Sequence, residues 1–189
     1  DSAISDQELM VMTKLGLKAG TIDQTEGEVI RNILTIENRS AEEIMTPLEK
    51  VTRLNDNLTV LEASKHPDFY RFSRFPIYNQ GKDNVVGLAH RPQILRMVAE
   101  DRHTIPLQKI MTPMEFISEQ TPVNALLHLF LEKREQLFMV IDRDRNVSGV
   151  VTLEDVLEEI IGKEIVDEDD RILDISEITH RRRTGVEPT

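Results

Sequence analysis

An internal repeat is the feature that most restricts what this 189-residue chain can fold into. Met45-Thr46-Pro47 recurs as Met111-Thr112-Pro113. Each copy is followed by the same series of patterns, in the order short apolar strand, helix, strand, strand, helix. The repeat predicts two copies of one small supersecondary unit. Each copy is too small to bury its own sheet and helix faces comfortably, so we expect the two to pack together with a ligand cleft between them.

The elements predicted in the two copies correspond one to one. In the first copy they are Glu49 to Leu54, Leu58 to Lys65, Arg74 to Tyr78, Val85 to Ala89 and Gln93 to Glu100. In the second copy they are Glu115 to Ser118, Val123 to Lys133, Leu137 to Ile141, Val147 to Val151 and Leu153 to Ile161. A Gly lies within the last strand pattern of each copy, at Gly87 and Gly149.

The segment before the first copy, residues 5 to 37, predicts two amphipathic helices. Gly16, Gly20 and the helix-start signal Thr21-Ile22-Asp23 are expected to separate them. We therefore divide the chain into a helical linker, two repeats and an acidic and polar tail. Their predicted limits are residues 1–39, 40–104, 105–163 and 164–189.

The composition and the lack of certain motifs argue against several classes of function. The formal charge of −11 would repel a phosphate backbone, so nucleic acid is not an expected partner. The chain has no cysteine, which excludes disulfides and thiolate metal sites. No apolar run reaches the length of about 20 residues that a membrane-spanning helix needs. The five histidines show no metal-ligand spacing and no phosphate-binding glycine loop occurs, so we predict neither a metal site nor a catalytic residue.

The strand-to-helix junction Thr152-Leu153-Glu154-Asp155 is the sharpest local feature. A helix start offers free N–H groups and the positive end of the helix dipole to a phosphate, and Asp155 could accept hydrogen bonds from both ribose hydroxyls. The same spacing is that of an N-cap with an acidic residue three positions later, which stabilises many helices that bind nothing. The two interpretations are compatible, and spacing alone does not separate them.

The repeat resembles the CBS-domain pair, or Bateman module, over residues 40 to 163. More narrowly, Glu43-Ile44-Met45-Thr46-Pro47 and Gly149-Val150-Val151-Thr152-Leu153-Glu154-Asp155 are similar to the cytosolic part of CNNM and CorC/HlyC-type membrane proteins. The resemblance implies a mixed α/β (α+β) fold in which each repeat is a small three-stranded sheet packed on two helices. The repeats would be related by pseudo-two-fold symmetry and preceded by a helical linker.

The resemblance also implies a function. The chain would be a regulatory, non-enzymatic module that binds AMP or ATP between the repeats and homodimerises through its CBS helices. It would lie at the cytoplasmic face of the membrane and control an attached transmembrane domain for magnesium or other divalent cations. Magnesium could accompany ATP.

Carried over to this sequence, the resemblance places one nucleotide between the opening part of the first repeat and the closing motif of the second. The implied binding residues are Thr46, Phe72, Ser73, Arg74, Pro76, Val150, Thr152 and Asp155. The corresponding second position has His90 and Gln93 in place of Thr152 and Asp155, and Gln136, Leu137 and Met139 in place of Ser73, Arg74 and Pro76. We therefore expect one nucleotide per chain.

Two other interpretations stay open at the sequence level. The module could be a structural homodimerisation unit in which Thr152 and Asp155 only cap a helix, and an enzyme is a more distant third. The acidic run Glu164 to Asp170 is either solvated chain or a cation site, and we predict no metal there.

Overall fold

The structure is a computed structural model that describes residues 4–162. It divides into two compact units. The first contains the described residues of Asp1–Asn38 and Glu154–Thr189, and the second is Arg39–Leu153. The acidic run from Glu164 and the basic cluster Arg181 to Arg183 lie outside the described residues.

The first unit is helical. Helix α1 spans Asp6–Ala19 and α2 spans Gln24–Thr35, and each begins with a capping box, formed by Ser5 with Glu8 and by Asp23 with Glu26. Helix α1 ends where Gly20 adopts a left-handed conformation, with φ of 70°, as C-terminal glycines commonly do.

The predicted break at Gly16 was wrong, because α1 runs through that residue without interruption. Gly20 and Asp23 alone separate the two helices. Helix α7, Leu153–Ile161, contributes its described turns to this unit, where the side-chain Nδ2 of Asn32 donates to the carbonyl oxygen of Ile160 at 3.1 Å.

The second unit contains two small mixed sheets. One has three strands in the order β2 (Leu54–Asn55), β3 (Arg74–Tyr78) and β4 (Val85–His90). The other has four strands in the order β1, β7, β6 and β5, with limits Thr46–Pro47, Val147–Thr152, Leu137–Ile141 and Phe116–Ser118. In both sheets a parallel pair, β2–β3 or β5–β6, is followed by an antiparallel hairpin, β3–β4 or β6–β7.

Helices cover these sheets as the apolar spacing predicts. Helices α4 (Val60–Ser64) and α5 (Arg91–Ala99) pack on the three-stranded sheet, where the buried rings of Phe69 and Phe75 stack 5.8 Å apart. Helix α6 (Val123–Lys133) buries Phe130 against Phe138 of β6, with ring centroids 4.5 Å apart. The expected mixed α/β fold with two repeated sheet-and-helix units is confirmed.

One predicted strand was wrong for most of its length. Residues Leu48–Lys50 form a single 3₁₀ turn, closed by the N–H of Val51 donating to the carbonyl oxygen of Leu48, and the strand is confined to Leu54–Asn55. The side chain of Leu48 at the start of this turn is buried in an apolar cluster with Val85 and Val150. A short helix α3, Ala41–Ile44, precedes β1.

Candidate functional site

Each Met-Thr-Pro motif lies beside the closing strand of the other repeat. Thr46 pairs with Val150 in β7, whereas Thr112 pairs with Leu88 in β4 through two backbone hydrogen bonds of 2.9 and 2.8 Å. The opening segment of each repeat is therefore exchanged, that is, it pairs with the closing strand of the other repeat. The limits of the two repeats at residues 40–104 and 105–163 stay a sequence prediction.

The glycine in each closing strand makes this exchange possible. A Cβ added to Gly149 would collide with the carbonyl oxygen of Thr46, and one added to Gly87 would lie 2.8 Å from the sulfur of Met111. A carbonyl oxygen in a paired strand cannot move aside cheaply. Glycine at these positions lets the exchanged backbone approach closely.

The two sheets share one apolar cluster. It joins Val85 and Leu88 of β4 to a group from the other sheet and the turn after β1, namely Leu48, Leu137, Met139 and Val150. These side chains are nearly removed from water, which stabilises the pairing of the repeats in proportion to the apolar area buried. The cluster therefore packs β4 of the three-stranded sheet against β6 and β7 of the four-stranded sheet.

Seven of the eight predicted site residues form two groups in the second unit, and Asp155 belongs to the first unit. Thr46, Val150 and Thr152 lie on adjacent strands β1 and β7 of the four-stranded sheet, with Thr152 as the last residue of β7. The side chain of Val150 is only 7% exposed and packs in the shared cluster. Asp155 lies in the first turn of α7, which begins immediately after Thr152.

The second group lies where the chain enters β3. Phe72 and Ser73 precede the strand, and Arg74 and the buried Pro76 are part of it. Phe72 is half-buried, meets Phe75 edge-on at 6.5 Å, and carries the guanidinium of Arg71 5.2 Å above its ring. The structure thus brings the four residues together at one end of the three-stranded sheet.

Arg74 lies beside Gln136 and His90, two residues that the sequence analysis assigned to the second nucleotide position. Its Nη2 donates to the Oε1 of Gln136 at 2.5 Å, and in the strand ladder it stands opposite His90. Burial and the positive charge of Arg74 lower the pKa of His90, with Glu135 acting in the opposite direction. Arg74 therefore has an acceptor in the other repeat and a titratable neighbour in its own.

At the second position, the side chain of His90 is already engaged with another residue of the chain. The Nε2 of His90 lies 3.1 Å from the Oγ1 of Thr112, so the exchanged threonine and the end of β4 are joined directly. Sequence reasoning missed this contact and the hydrogen bonds made by Arg91, which follows His90. The one available signal was that His90 and Arg91 replace the Thr152-Leu153 of the second repeat.

The predicted residues include groups of the types that bind anions and aromatic rings. Thr152 supplies a hydroxyl at a helix start, Arg74 a guanidinium, and Phe72 an aromatic face. Among residues 4–162, no group of three or more His, Asp or Glu is placed to hold a metal ion. Within the same range, no helix has the length and apolar character needed to cross a lipid bilayer.

Comparison with known proteins gives matches over nearly the whole chain. The family model of the CBS domain matches residues 107–162. UPF0053 protein sll1254 of Synechocystis sp. is 32% identical over 182 residues, covering 96% of this chain and 52% of that protein. UPF0053 protein YhdP of Bacillus subtilis is 28% identical over 185 residues, covering 97% of this chain and 40% of that protein. The chain thus spans about half or less of the length of these relatives.

Solved structures extend the similarity to the fold. The CBS domain of a bacterial CNNM/CorC family Mg2+ transporter is 30% identical, with a TM-score of 0.78 over 85% of this chain and 98% of that one. A CBS domain of the bacterial CNNM/CorC family Mg2+ transporter in complex with ATP is 32% identical, with a TM-score of 0.67 over 72% of this chain and 97% of that one.

Proposed function

Because this chain belongs to the CNNM/CorC family, as its tandem CBS-domain pair, we propose that it binds one adenine nucleotide, ATP or AMP, and regulates an attached membrane domain. The observation that carries this proposal is the 32% identity to a CBS domain in complex with ATP, which this chain matches over 97% of its length. The module has a conformational output and performs no chemistry of its own.

The proposed site uses the two groups of residues described above. Thr152 and the first N–H groups of α7 would receive phosphate, and Arg74 would add a charge-assisted hydrogen bond. Phe72 and Pro76 would line the base, and Thr46 and Val150 would shape the floor beside it. Asp155 would accept from the ribose hydroxyls.

We expect one nucleotide per chain rather than two. At the second position His90 stands where Thr152 does and already contacts Thr112, and Gln93 replaces the carboxylate of Asp155. Both changes remove groups that the first position offers to a nucleotide. The His90–Thr112 contact would have to break before a ligand entered there.

Regulation would follow from differential affinity. A nucleotide that binds one arrangement of the module more tightly shifts the population toward that arrangement, and an attached domain can respond to the shift. We propose that this domain is a transmembrane one concerned with magnesium or related cations and that the module lies on its cytoplasmic side. The full lengths of the relatives leave room for such a domain.

The test is isothermal titration calorimetry of the chain with ATP and with AMP, each with and without magnesium. We expect saturable binding with a stoichiometry near one. In Asp155→Asn the shape of the side chain is kept and its charge is lost, so binding should weaken by at least about tenfold if Asp155 holds the ribose.

Glu154→Gln is the matched control. It removes the same charge from the same first turn of α7, so it alters the helix-end electrostatics equally without touching the proposed ribose contact. Absence of binding to the folded wild-type chain, or equal losses in the two variants, would contradict the proposed site.

A structural homodimerisation module is the alternative, and exposed apolar side chains on the helices of the second unit favour it. Leu131 of α6 is 65% exposed and Leu95 of α5 is 38% exposed. Dimerisation and nucleotide binding are compatible. A purely structural function would be supported only if the folded dimer binds neither ATP nor AMP.

A further inference from the structure

We propose that Arg91 is a positioning residue for the nucleotide site, holding the segment Tyr70 to Ser73, the site loop, in its binding conformation. This inference rests on the proposed function, because the site loop carries Phe72 and Ser73 and leads directly into Arg74. Arg91 itself has no place in the predicted set of ligand-contacting residues.

Four hydrogen bonds join Arg91 to the site loop. Its Nη1 donates to the carbonyl oxygens of Tyr70 at 2.7 Å and Phe72 at 3.1 Å, and its Nη2 lies 3.3 Å from the Oγ of Ser73, to which it donates. Its backbone N–H donates to the carbonyl oxygen of Ser73 at 2.9 Å. The side chain of Arg91 therefore holds the main-chain carbonyls of Tyr70 and Phe72, and its backbone N–H holds that of Ser73.

The loop is held on its inner side by packing. Phe69, immediately before the loop, is fully buried against Phe75, and the N–H of Arg71 donates to the carbonyl oxygen of Asp68. Tyr70, by contrast, is 74% exposed. The planar guanidinium fork of Arg91 supplies several directed hydrogen bonds to this exposed side, which a lysine could not reproduce.

The other repeat shows that the strand-to-helix junction does not itself require this side chain. Leu153 occupies the position of Arg91, and its N–H donates to the carbonyl oxygen of Gln136 at 3.3 Å, just as Arg91 does to Ser73. The backbone contact is common to both repeats, whereas the side-chain contacts occur at the first. They are thus confined to the repeat whose loop carries the proposed nucleotide contacts.

Pre-organisation explains what the contacts would contribute. A loop that is already ordered loses less conformational entropy when a ligand binds, so affinity rises without any direct contact from Arg91 to the ligand. Removing the guanidinium group of Arg91 should therefore make the site loop less ordered in the ligand-free protein. Nucleotide binding should weaken as well, because the loop would then lose more conformational entropy on binding. The two effects can be measured separately.

The experiment compares Arg91→Met, Arg91→Lys and Arg96→Met with the wild-type chain. Arg96 lies in the same helix, is exposed, and loses the same charge, so Arg96→Met is the matched control. Amide hydrogen exchange of the ligand-free proteins reports the order of residues 70–74, and calorimetry reports ATP affinity. We expect Arg91→Met to speed exchange in that segment and to weaken ATP binding, each by about tenfold.

Arg91→Lys should restore the charge but only part of the affinity, and Arg96→Met should match the wild type. Unchanged ATP affinity in Arg91→Met would overturn the inference while leaving the nucleotide function intact. Faster exchange throughout residues 39–153 would also overturn it, because it would assign Arg91 a general structural role. If the wild-type chain binds neither ATP nor AMP, the proposed function and this inference both fail, whatever the exchange data show.

Discussion

His90 is a residue whose pKa depends on its position in the sheet. The register of β3 and β4 sets it opposite Arg74, and the exchanged motif sets it 3.1 Å from the hydroxyl of Thr112. Burial and the charge of Arg74 lower its pKa below the ordinary value of 6.5, so the folded chain favours the neutral imidazole. The unfolded chain then binds more protons near that pH, and stability is linked to the protonation of this residue.

We therefore expect the free energy of unfolding to decrease as the pH falls through about 6.5, with a smaller decrease in His90→Gln. The folded pKa is depressed, so the contribution of the neutral imidazole is present at higher pH and is lost on acidification. Urea unfolding at several pH values between about 5 and 8 measures it. His128→Gln, at an exposed position of α6, is the control, and an unchanged pH dependence in His90→Gln would contradict the assignment.

At the scale of the elements, the exchanged strand β1 depends on the glycine that faces it. In Gly149→Ala the added Cβ would meet the backbone carbonyl oxygen of Thr46, so β1 must shift away from β7. We expect the free energy of unfolding to fall by about 1–3 kcal/mol, the usual cost of overpacking. Gly81→Ala is the control, because its added Cβ has no atom within 4 Å. Equal urea midpoints for the two variants would show that the close approach is not needed.

The elements that the sequence predicted best are those with a clear local apolar pattern. Two strands, Arg74–Tyr78 and Leu137–Ile141, and two helices, Val123–Lys133 and Leu153–Ile161, have the predicted limits. Short apolar runs and helical apolar spacing can both be recognised from neighbouring residues alone. Strand β1 contains two residues and has no period to detect. Its pairing with β7 is decided by tertiary packing around Gly149, which lies far along the chain.

The candidate site, too, was predictable from the sequence only in part. The residue types at Thr152 and Asp155 suggested a helix start that suits a phosphate and a ribose, and the repeat suggested which positions correspond. The hydrogen bonds of Arg91 and the Arg74–Gln136 contact depend on side-chain reach across loops, for which a single sequence holds no period or spacing rule. These contacts are seen only in the three-dimensional structure.

At the scale of the whole molecule, the apolar side chains left exposed on the second unit should govern self-association. Leu131 of α6 is 65% exposed, and burial of such a side chain would stabilise a dimer formed through the CBS helices. We expect a wild-type dimer and a shift toward monomer in Leu131→Glu, since an unpaired carboxylate is costly to bury in an apolar interface. Val11→Glu places the same charge at a 57%-exposed position of α1 in the other unit and should leave the dimer intact. Sedimentation velocity over a range of concentrations measures both variants, and dissociation by Val11→Glu alone would move the interface to the linker helices.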